Sequence, residues 1–203
     1  MILLANNEIR QERDQVLKFQ QIVNRGATLT EDQLQTLTAL ARRYKIKSDS
    51  MTSRPAFTEL LMRVDTIPPG LALAQAANES AWGTSRFSQL ANNLFGEWTF
   101  KSGTGIVPED RPDGATYEVR RFDNIYESIR SYLLNLNTHF AYQELRQLRA
   151  EARAENRPVD GFKLAEGLFR YSIRGEAYVK DLQSLIRLNR LDRFAAASLR
   201  VRS

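Results

Sequence analysis

One carboxylate, Glu79, stands at the end of a segment that can place it for acid catalysis. Residues 71–78 are mostly apolar, which is typical of a buried helix, and Gly83 supplies a stop signal shortly beyond Glu79. Burial and the negative end of the helix dipole both disfavour the charged form of a glutamate at this position. A carboxyl group that stays protonated near neutral pH can act as a general acid. The alternative is a structural glutamate that caps a turn or pairs with Arg86.

Composition excludes several other chemistries. The 203-residue sequence has no cysteine and one histidine, which excludes disulfides, zinc sites and thiol chemistry, and we expect neither metal nor cofactor. His139 has no nucleophile nearby in sequence and is more typical of a structural turn residue than of a base. The formal net charge is +5, but the sequence has no run of basic residues interleaved with aromatic ones. Nucleic acid is therefore not an expected partner. This charge suits an anionic polymer, although most proteins with such a charge are merely soluble.

Two motifs around Glu79 resemble a known family. Glu-Ser-Ala-Trp-Gly at 79–83 and Asn-Asn-Leu-Phe-Gly at 92–96 together resemble the signature of bacterial peptidoglycan N-acetylglucosaminidases, glycoside hydrolase family 73. The longer run Asn-Leu-Phe-Gly-Glu-Trp and the segment Tyr171–Tyr178 are most similar to the Bax-like branch of that family. The resemblance covers about residues 54–190. It implies a lysozyme-like fold, Glu79 as the catalytic acid, and hydrolysis of β-1,4 bonds after N-acetylglucosamine in peptidoglycan.

Hydrolysis of a glycosidic bond also needs something to meet the positive charge that develops on the sugar. The resemblance implies a second glutamate on a β-hairpin, where Glu109 and Glu118 are equally plausible. Asp110 and Asp113 lie in the same loop, and each of these carboxylates could be a surface group without a role. The N-acetyl oxygen of the substrate could stabilise the charge instead, and then no second carboxylate is needed.

Three aromatic side chains are candidates for substrate binding, because sugar rings need flat apolar platforms. Trp98 follows the Asn-Leu-Phe-Gly turn, where a loop could expose it, and Trp82 could instead fill the core. Tyr171 begins a segment that resembles the tyrosine motif of the family, although Tyr-Ser-Ile-Arg-Gly departs from the commoner Tyr-Ala-Thr-Asp. Asn92 and Asn93 are predicted to build the turn rather than to touch sugar.

Helices must position these groups, since helical patterns account for most of the chain. Isoleucine and valine recur every seven residues from Ile2 to Val23, which predicts an amphipathic first helix ending at 24–26. We interpret its charged face as solvated surface, with a docked partner helix as the alternative. A capping box at Thr30–Gln33 opens a second helix, Ser53-Arg-Pro55 opens a third, and Pro69 suits the first turn of the Glu79 helix. Further helices are predicted over 125–136, 142–153 and 162–169, and from the 171–175 turn to about 194.

The segment from Lys101 to Phe122 is the exception to this helical pattern. Glycines and prolines punctuate two short runs, 105–107 and 116–122, and the second run alternates as a strand does. We predict a small β-hairpin, with no third strand, that leans on helices for its stability.

These patterns predict a mainly α protein, and the resemblance makes it a lysozyme-like helical domain with one small β-hairpin and extra N-terminal helices. Residues 1–50 are interpreted as helices packed on a glucosaminidase domain of residues 51–203. No apolar run is long enough for stable membrane insertion, and Met1–Ala5 is too short for a signal-peptide core. Since an enzyme of the cell wall must be exported, we expect this protein in the periplasm or elsewhere outside the cytoplasm. We also expect it to be a monomer.

Two alternative functions remain. A lytic transglycosylase also uses a helical glutamate followed by serine, but it normally continues with a Gly-Leu-Met-Gln segment that this sequence lacks. The other alternative is a glycan-binding or interaction module on a lysozyme-like scaffold that has little or no turnover, because a fold does not guarantee activity.

Overall fold

The structure, a computed structural model, describes residues 1–109, 111–197 and 199. The helices in this part of the chain are α1 (Ile2–Asn24), α2 (Glu31–Arg43), α3 (Arg54–Arg63), α4 (Pro69–Ser80), α5 (Arg86–Ala91), α6 (Ile125–Thr138), α7 (Gln143–Ala154), α8 (Gly161–Leu164) and α9 (Glu176–Leu188). Three 3₁₀ turns lie at Phe140–Tyr142, Ala165–Leu168 and Leu191–Ala196. The strands are β1 (Trp98–Thr99), β2 (Gly105–Ile106) and β3 (Glu118–Arg120). The prediction of a mainly α fold with a small β element is confirmed.

Several helices begin where the local sequence predicts. Thr30 and Gln33 form both hydrogen bonds of a capping box at the start of α2. The side chains of Ser53 and Asn124 accept hydrogen bonds from backbone N–H groups in the first turns of α3 and α6. Each such cap contributes about 1 kcal/mol. Pro69 occupies the first turn of α4, where the absence of a proline N–H costs no hydrogen bond.

Helix α4 lies in the centre of the hydrophobic core. Leu71, Ala72 and Ala74 are fully buried, and the helix contacts α1, α8, α9 and the turn Leu191–Ala196. This turn approaches α4 so closely that a Cβ added to Gly70 would lie 2.6 Å from the Leu191 carbonyl oxygen. A helix confined on so many sides holds its C-terminal end in a defined position. Within the described residues, no helix is both long enough and apolar enough to cross a membrane.

The N-terminal helices share this core. Helix α1 packs against α3, α4 and α6 and buries Ile9 and Val16 among their side chains. Asn6 is 3% exposed, and its amide bonds both the N–H and the carbonyl group of Ile67, at 3.1 and 2.7 Å. Helices of the same chain therefore bury the middle of the apolar stripe of α1, whereas Ile2 and Val23 at its two ends are partly buried. These contacts support, as a proposal, the division into residues 1–50 packed on a main domain of residues 51–203.

A buried ionic network anchors the segment just before α4. Asp65 is 2% exposed and lies 2.9 Å from the guanidinium of Arg153, 3.6 Å from that of Arg13 and 3.8 Å from that of Arg149. Arg149, which is also buried, donates to four further oxygens: the carbonyls of Met62, Asp65 and Thr66 and the side chain of Asn137. Burial by itself raises the pKa of Asp65, but the three arginines more than offset it and hold that pKa below its usual value. Burial lowers the pKa of Arg149 to about 10.

The predicted hairpin is present, with one correction. Strands β2 and β3 are antiparallel, with Ile106 opposite Val119. Trp98–Thr99 forms a third strand on the other side of β3, so the strand order is β1-β3-β2. The prediction that no third strand exists was wrong, because a strand of two residues is too short to show an alternating pattern. Since only Glu97 separates β1 from the Asn-Asn-Leu-Phe-Gly motif, the pairing of β1 with β3 fixes that motif against the hairpin.

Candidate active site

Glu79 occupies the last turn of α4, just before an unusual backbone turn. The helix ends at Ser80, and residues 81–83 have φ angles of 49°, 60° and 80°. Only Gly83 adopts such an angle without strain, and strained backbone of this kind clusters at functional sites. Ser80 stabilises the turn, because its hydroxyl donates to the Ala76 carbonyl at 2.6 Å and accepts from the Gly83 N–H at 2.7 Å. The Ser and Gly of the Glu-Ser-Ala-Trp-Gly motif therefore have structural roles beside Glu79.

A chain of hydrogen bonds from the protein interior holds the Glu79 carboxyl group. The Tyr132 hydroxyl donates to the Gln75 amide oxygen at 2.6 Å, the Gln75 amide donates to the Tyr178 hydroxyl at 3.0 Å, and that hydroxyl donates to Glu79 Oε1 at 2.7 Å. Burial and the Glu79 carboxylate raise the pKa of Tyr178 far above its usual value, so the Tyr178 hydroxyl keeps its proton and remains a donor. Glu79 Oε2 faces Gly96, where an added Cβ would lie 3.9 Å away.

The asparagines of the second motif build the turn that faces Glu79. The Asn93 amide donates to the carbonyls of Glu97 and Arg120, both at 2.8 Å, and its oxygen accepts from the Glu97 N–H at 3.0 Å. The Asn92 amide donates to the Phe122 carbonyl at 2.9 Å. The prediction that these two asparagines form the turn is confirmed.

A cleft of about 560 Å³ lies between this turn and helix α6 with its following 3₁₀ turn. Gly96, which faces Glu79, and Tyr171, which stacks on Tyr178 with ring centroids 5.4 Å apart, both line the cleft. Glu79 therefore lies beside it. Most of the other lining groups are polar or aromatic, as in sites that bind sugars; they include Glu97, Arg120, Ser131, Asn135, Thr138 and His139.

The three predicted sugar platforms differ in their positions. Trp98 is 51% exposed, lines the cleft and packs on Tyr117, with ring centroids 4.0 Å apart. Tyr171 also lines the cleft, and its hydroxyl is held there by donating to the carbonyl of Phe95 at 3.0 Å. Trp82 is 63% exposed and does not line this cleft, so the alternative that it fills the core was wrong. The binding of sugar by these three residues stays a prediction.

The hairpin glutamate Glu118 is bound by the backbone of its own hairpin. Its two carboxylate oxygens accept hydrogen bonds from the N–H groups of Gly103, at 2.9 Å, and Gly105, at 2.8 Å. The bond from Gly103, helped by those from the following residues, holds the pKa of Glu118 below its usual value in spite of burial. These bonds stabilise the turn between β1 and β2. Glu118 does not line the cleft, and its catalytic role stays a prediction.

The second predicted hairpin glutamate, Glu109, pairs with Arg86 of α5. The Glu109 side chain is 78% exposed, and an exposed ion pair of this kind contributes little stability. Arg86 is therefore engaged away from Glu79, and the alternative in which it pairs with Glu79 was wrong. Asp113 is exposed, and Asp110 lies outside the described residues. Within the described residues, no group of three or more aspartate, glutamate or histidine side chains is placed to hold a metal ion.

The carboxylate that does line the cleft is Glu97, which was not among those predicted from the sequence. Its side chain is 15% exposed, and its Oε2 atom accepts a hydrogen bond from the Ser131 hydroxyl at 2.7 Å. Arg120 lies 3.5 Å from the same oxygen. Burial raises the pKa of Glu97, although Ser131 and Arg120 oppose that shift. The only signal in the sequence was its place in Asn-Leu-Phe-Gly-Glu-Trp, directly after the glycine that faces Glu79.

Removal of the hydroxyl that binds Glu79 tests this arrangement. We expect Tyr178→Phe to lower kcat on a glycan substrate about 10- to 100-fold, since a hydrogen bond to a charged group is worth about 1.5–3 kcal/mol. The matched control is Tyr126→Phe, whose hydroxyl donates to Glu8 at 2.7 Å and which does not line the cleft. Steady-state kinetics of both variants measure kcat. Equal kcat values for the two variants would mean that the Tyr178 hydroxyl does not contribute to catalysis.

Known proteins provide an independent comparison. Residues 54–191 match the model of the Glucosaminidase family, described as mannosyl-glycoprotein endo-beta-N-acetylglucosaminidase. The chain is 36% identical over 139 residues to Protein bax of Escherichia coli (strain K12), and the match covers 68% of this chain and 49% of that protein. The chain thus spans about half the length of the curated relative it matches. No solved structure matches the chain.

Proposed function

Because this chain belongs to the Glucosaminidase family, we propose that it hydrolyses β-1,4 glycosidic bonds after N-acetylglucosamine in the glycan strands of peptidoglycan. Family membership supports an enzyme of the glycosidase type. The observation that carries the proposal is the position of Glu79, at the end of a buried helix, bonded to Tyr178 and beside a cleft lined by polar and aromatic groups.

The two oxygens of Glu79 have different surroundings, which favours Oε2 as the atom that carries the proton. Oε1 accepts from the Tyr178 hydroxyl, whereas among the described residues no protein group bonds Oε2. Oε2 faces Gly96, and the missing side chain leaves space for a substrate oxygen to approach. In the proposed reaction Glu79 gives this proton to the glycosidic oxygen as the bond to the anomeric carbon breaks. The Tyr178 hydroxyl then stabilises the carboxylate that remains.

The walls of the cleft suit a glycan strand. Trp98 presents an exposed ring on which a sugar can stack, and the neighbouring hydroxyl and amide groups can bond sugar hydroxyls. The net charge of +5 favours association with an anionic cell-wall polymer. Such a substrate places the proposed enzyme in the periplasm or elsewhere outside the cytoplasm, and we propose that it acts as a monomer.

The proposal is tested by the chemistry of the products. Purified peptidoglycan is digested with the protein, the soluble fragments are reduced with borohydride, and mass spectrometry identifies the sugar at each new end. We expect reduced N-acetylglucosamine at the new ends. Reduced muramic acid ends would instead indicate a muramidase, and anhydromuramic acid ends a lytic transglycosylase. If the protein binds the wall but no fragments form, the protein is a glycan-binding module and the proposal that it is an enzyme is wrong.

A further inference from the structure

We propose that Glu97 is the second catalytic carboxyl group of this cleft and that it acts as the general base for the attacking water. This inference rests on the proposed function. It assigns to Glu97 the role for which the sequence suggested Glu109 or Glu118. Three features of the described residues carry the assignment: the position of Glu97 relative to Glu79, the incomplete pairing of its carboxylate, and the engagement of the other two glutamates elsewhere.

The positions of Gly96 and Glu97 bring the two carboxyl groups to one cleft from different sides. A Cβ added to Gly96 would point at Glu79 Oε2 on α4, whereas the side chain of Glu97 reaches Ser131 on α6. An inverting glycosidase needs its carboxyl groups roughly 6.5–9.5 Å apart, so that a water molecule fits between the base and the sugar. Glu79 lies on α4, whereas Glu97 lies just before β1 and reaches α6, and approach from two different elements is consistent with such a space.

Tyr142 is a buried tyrosine of the cleft that lies near both carboxylates. Tyr142 lines the cleft and is 7% exposed. Burial raises the pKa of Tyr142 to about 12, and the negative charges of Glu79 and Glu97 both add to that increase. A single phenol therefore lies within electrostatic range of Glu79 and Glu97.

The carboxylate of Glu97 is incompletely paired. Its Oε2 accepts from Ser131, but its Oε1 is shielded from solvent and has no hydrogen-bond partner. Arg120, at 3.5 Å, is 46% exposed and compensates the buried charge only in part. A buried polar atom without a partner destabilises the fold, and a catalytic role is one of the explanations for such an atom in a native protein. By contrast, the backbone of the hairpin occupies both oxygens of Glu118, and Glu109 pairs with Arg86 at the surface.

The proposed step balances without any further reactant. A lone pair of water forms the new bond to the anomeric carbon while one of the water protons passes to the ionised Glu97. The bonding pair of the glycosidic bond leaves with the glycosidic oxygen, which takes the proton of Glu79. Exchange with solvent then returns a proton to Glu79 and removes one from Glu97. A base with a raised pKa suits this task, because a stronger base accepts the water proton more readily.

The test compares Glu97→Gln, Glu97→Ala and Glu79→Gln with the wild type and with Glu151→Gln, an exposed position on α7. Initial rates on purified peptidoglycan are measured across pH, and Tm is measured for each variant. We expect Glu97→Gln to lose at least about 100-fold in kcat and to lose the acid limb of the pH profile. Its Tm should not fall, because the amide removes a charge that burial disfavours. Azide should restore turnover to Glu97→Ala and produce azide-terminated fragments, because the small anion attacks the anomeric carbon without a base.

The outcomes separate this inference from the proposed function. Wild-type rates of zero would overturn the proposed function itself. Active wild type and inactive Glu79→Gln, combined with Glu97→Gln within threefold of the wild type, would overturn the inference alone. A lower Tm for Glu97→Gln, or the absence of azide-terminated fragments from Glu97→Ala, would assign Glu97 a structural role and also overturn the inference.

Discussion

Glu79→Gln is expected to lower kcat on peptidoglycan by about 1,000-fold while binding of the glycan persists. General acid catalysis contributes about 10²–10⁴-fold, and glutamine cannot give a proton to the leaving oxygen. The substitution preserves the shape of the side chain and an oxygen that can accept from Tyr178, which bonds Glu79 at 2.7 Å. The rate of release of soluble fragments measures activity, and sedimentation with the insoluble wall measures binding.

The matched control for Glu79→Gln is Glu144→Gln, an exposed glutamate in the first turn of α7. We expect its kcat to equal that of the wild type. If Glu79→Gln kept more than a tenth of the wild-type rate, Glu79 would not be the acid, although the enzyme could still be a glycosidase. If it lost both activity and wall binding, its Tm would show whether the fold or the cleft had been damaged.

Asp65→Asn is expected to lower the free energy of unfolding by about 3–5 kcal/mol, because it leaves buried guanidinium charge without its counterion. Asp65 is 2% exposed and faces Arg13, Arg149 and Arg153, of which Arg149 is itself 1% exposed. Urea denaturation at pH 7 measures the change. The control is Asp49→Asn, an exposed aspartate in the connection between α2 and α3, for which we expect no measurable change.

The pH dependence of stability gives a second test of Asp65. The three arginines hold its pKa in the folded protein below the usual value, so the unfolded chain binds the proton more readily. The carboxylate therefore contributes its full stability above the pKa of the unfolded state, and that contribution is lost as the pH falls through the pKa of the folded state. We expect the stabilities of wild type and Asp65→Asn to converge in acid. If the free energies of unfolding of wild type and Asp65→Asn differed by less than about 1 kcal/mol at pH 7, the buried arginines would not need this carboxylate as a counterion.

Features that arise within a few residues were predictable from the sequence. The capping box at Thr30–Gln33, the cap at Ser53 and the proline start of α4 are set by neighbouring groups, and the structure places all three as predicted. The hairpin of β2 and β3 was predictable from its glycines, prolines and alternating pattern. The two asparagines of the second motif form their turn as predicted, because most of their partners lie in that turn and in the strand beside it.

Short or exposed features were predictable only in part. Strand β1 has two residues, Trp98 and Thr99, so only its pairing with β3 identifies it as a strand. Trp82 belongs to an apolar segment, yet the left-handed turn after α4 directs it to solvent, where it is 63% exposed. The backbone conformation of a single turn decided this outcome, and hydrophobicity did not.

The helical class, the family resemblance and Glu79 as the candidate acid follow from the sequence alone, because they depend on local periodicity and on two short motifs. The groups that surround that acid are brought together by tertiary packing and could not be predicted from the sequence. The Tyr178–Glu79 bond joins residues 99 apart in the chain, and the bonds of Gln75 to Tyr178 and Tyr132 span 103 and 57 residues. The same holds for Glu97, whose environment the sequence does not reveal and whose carboxylate becomes mostly buried only when α6 packs beside it. Burial and pairing, which set the chemistry of a carboxyl group, are properties of packing between distant segments.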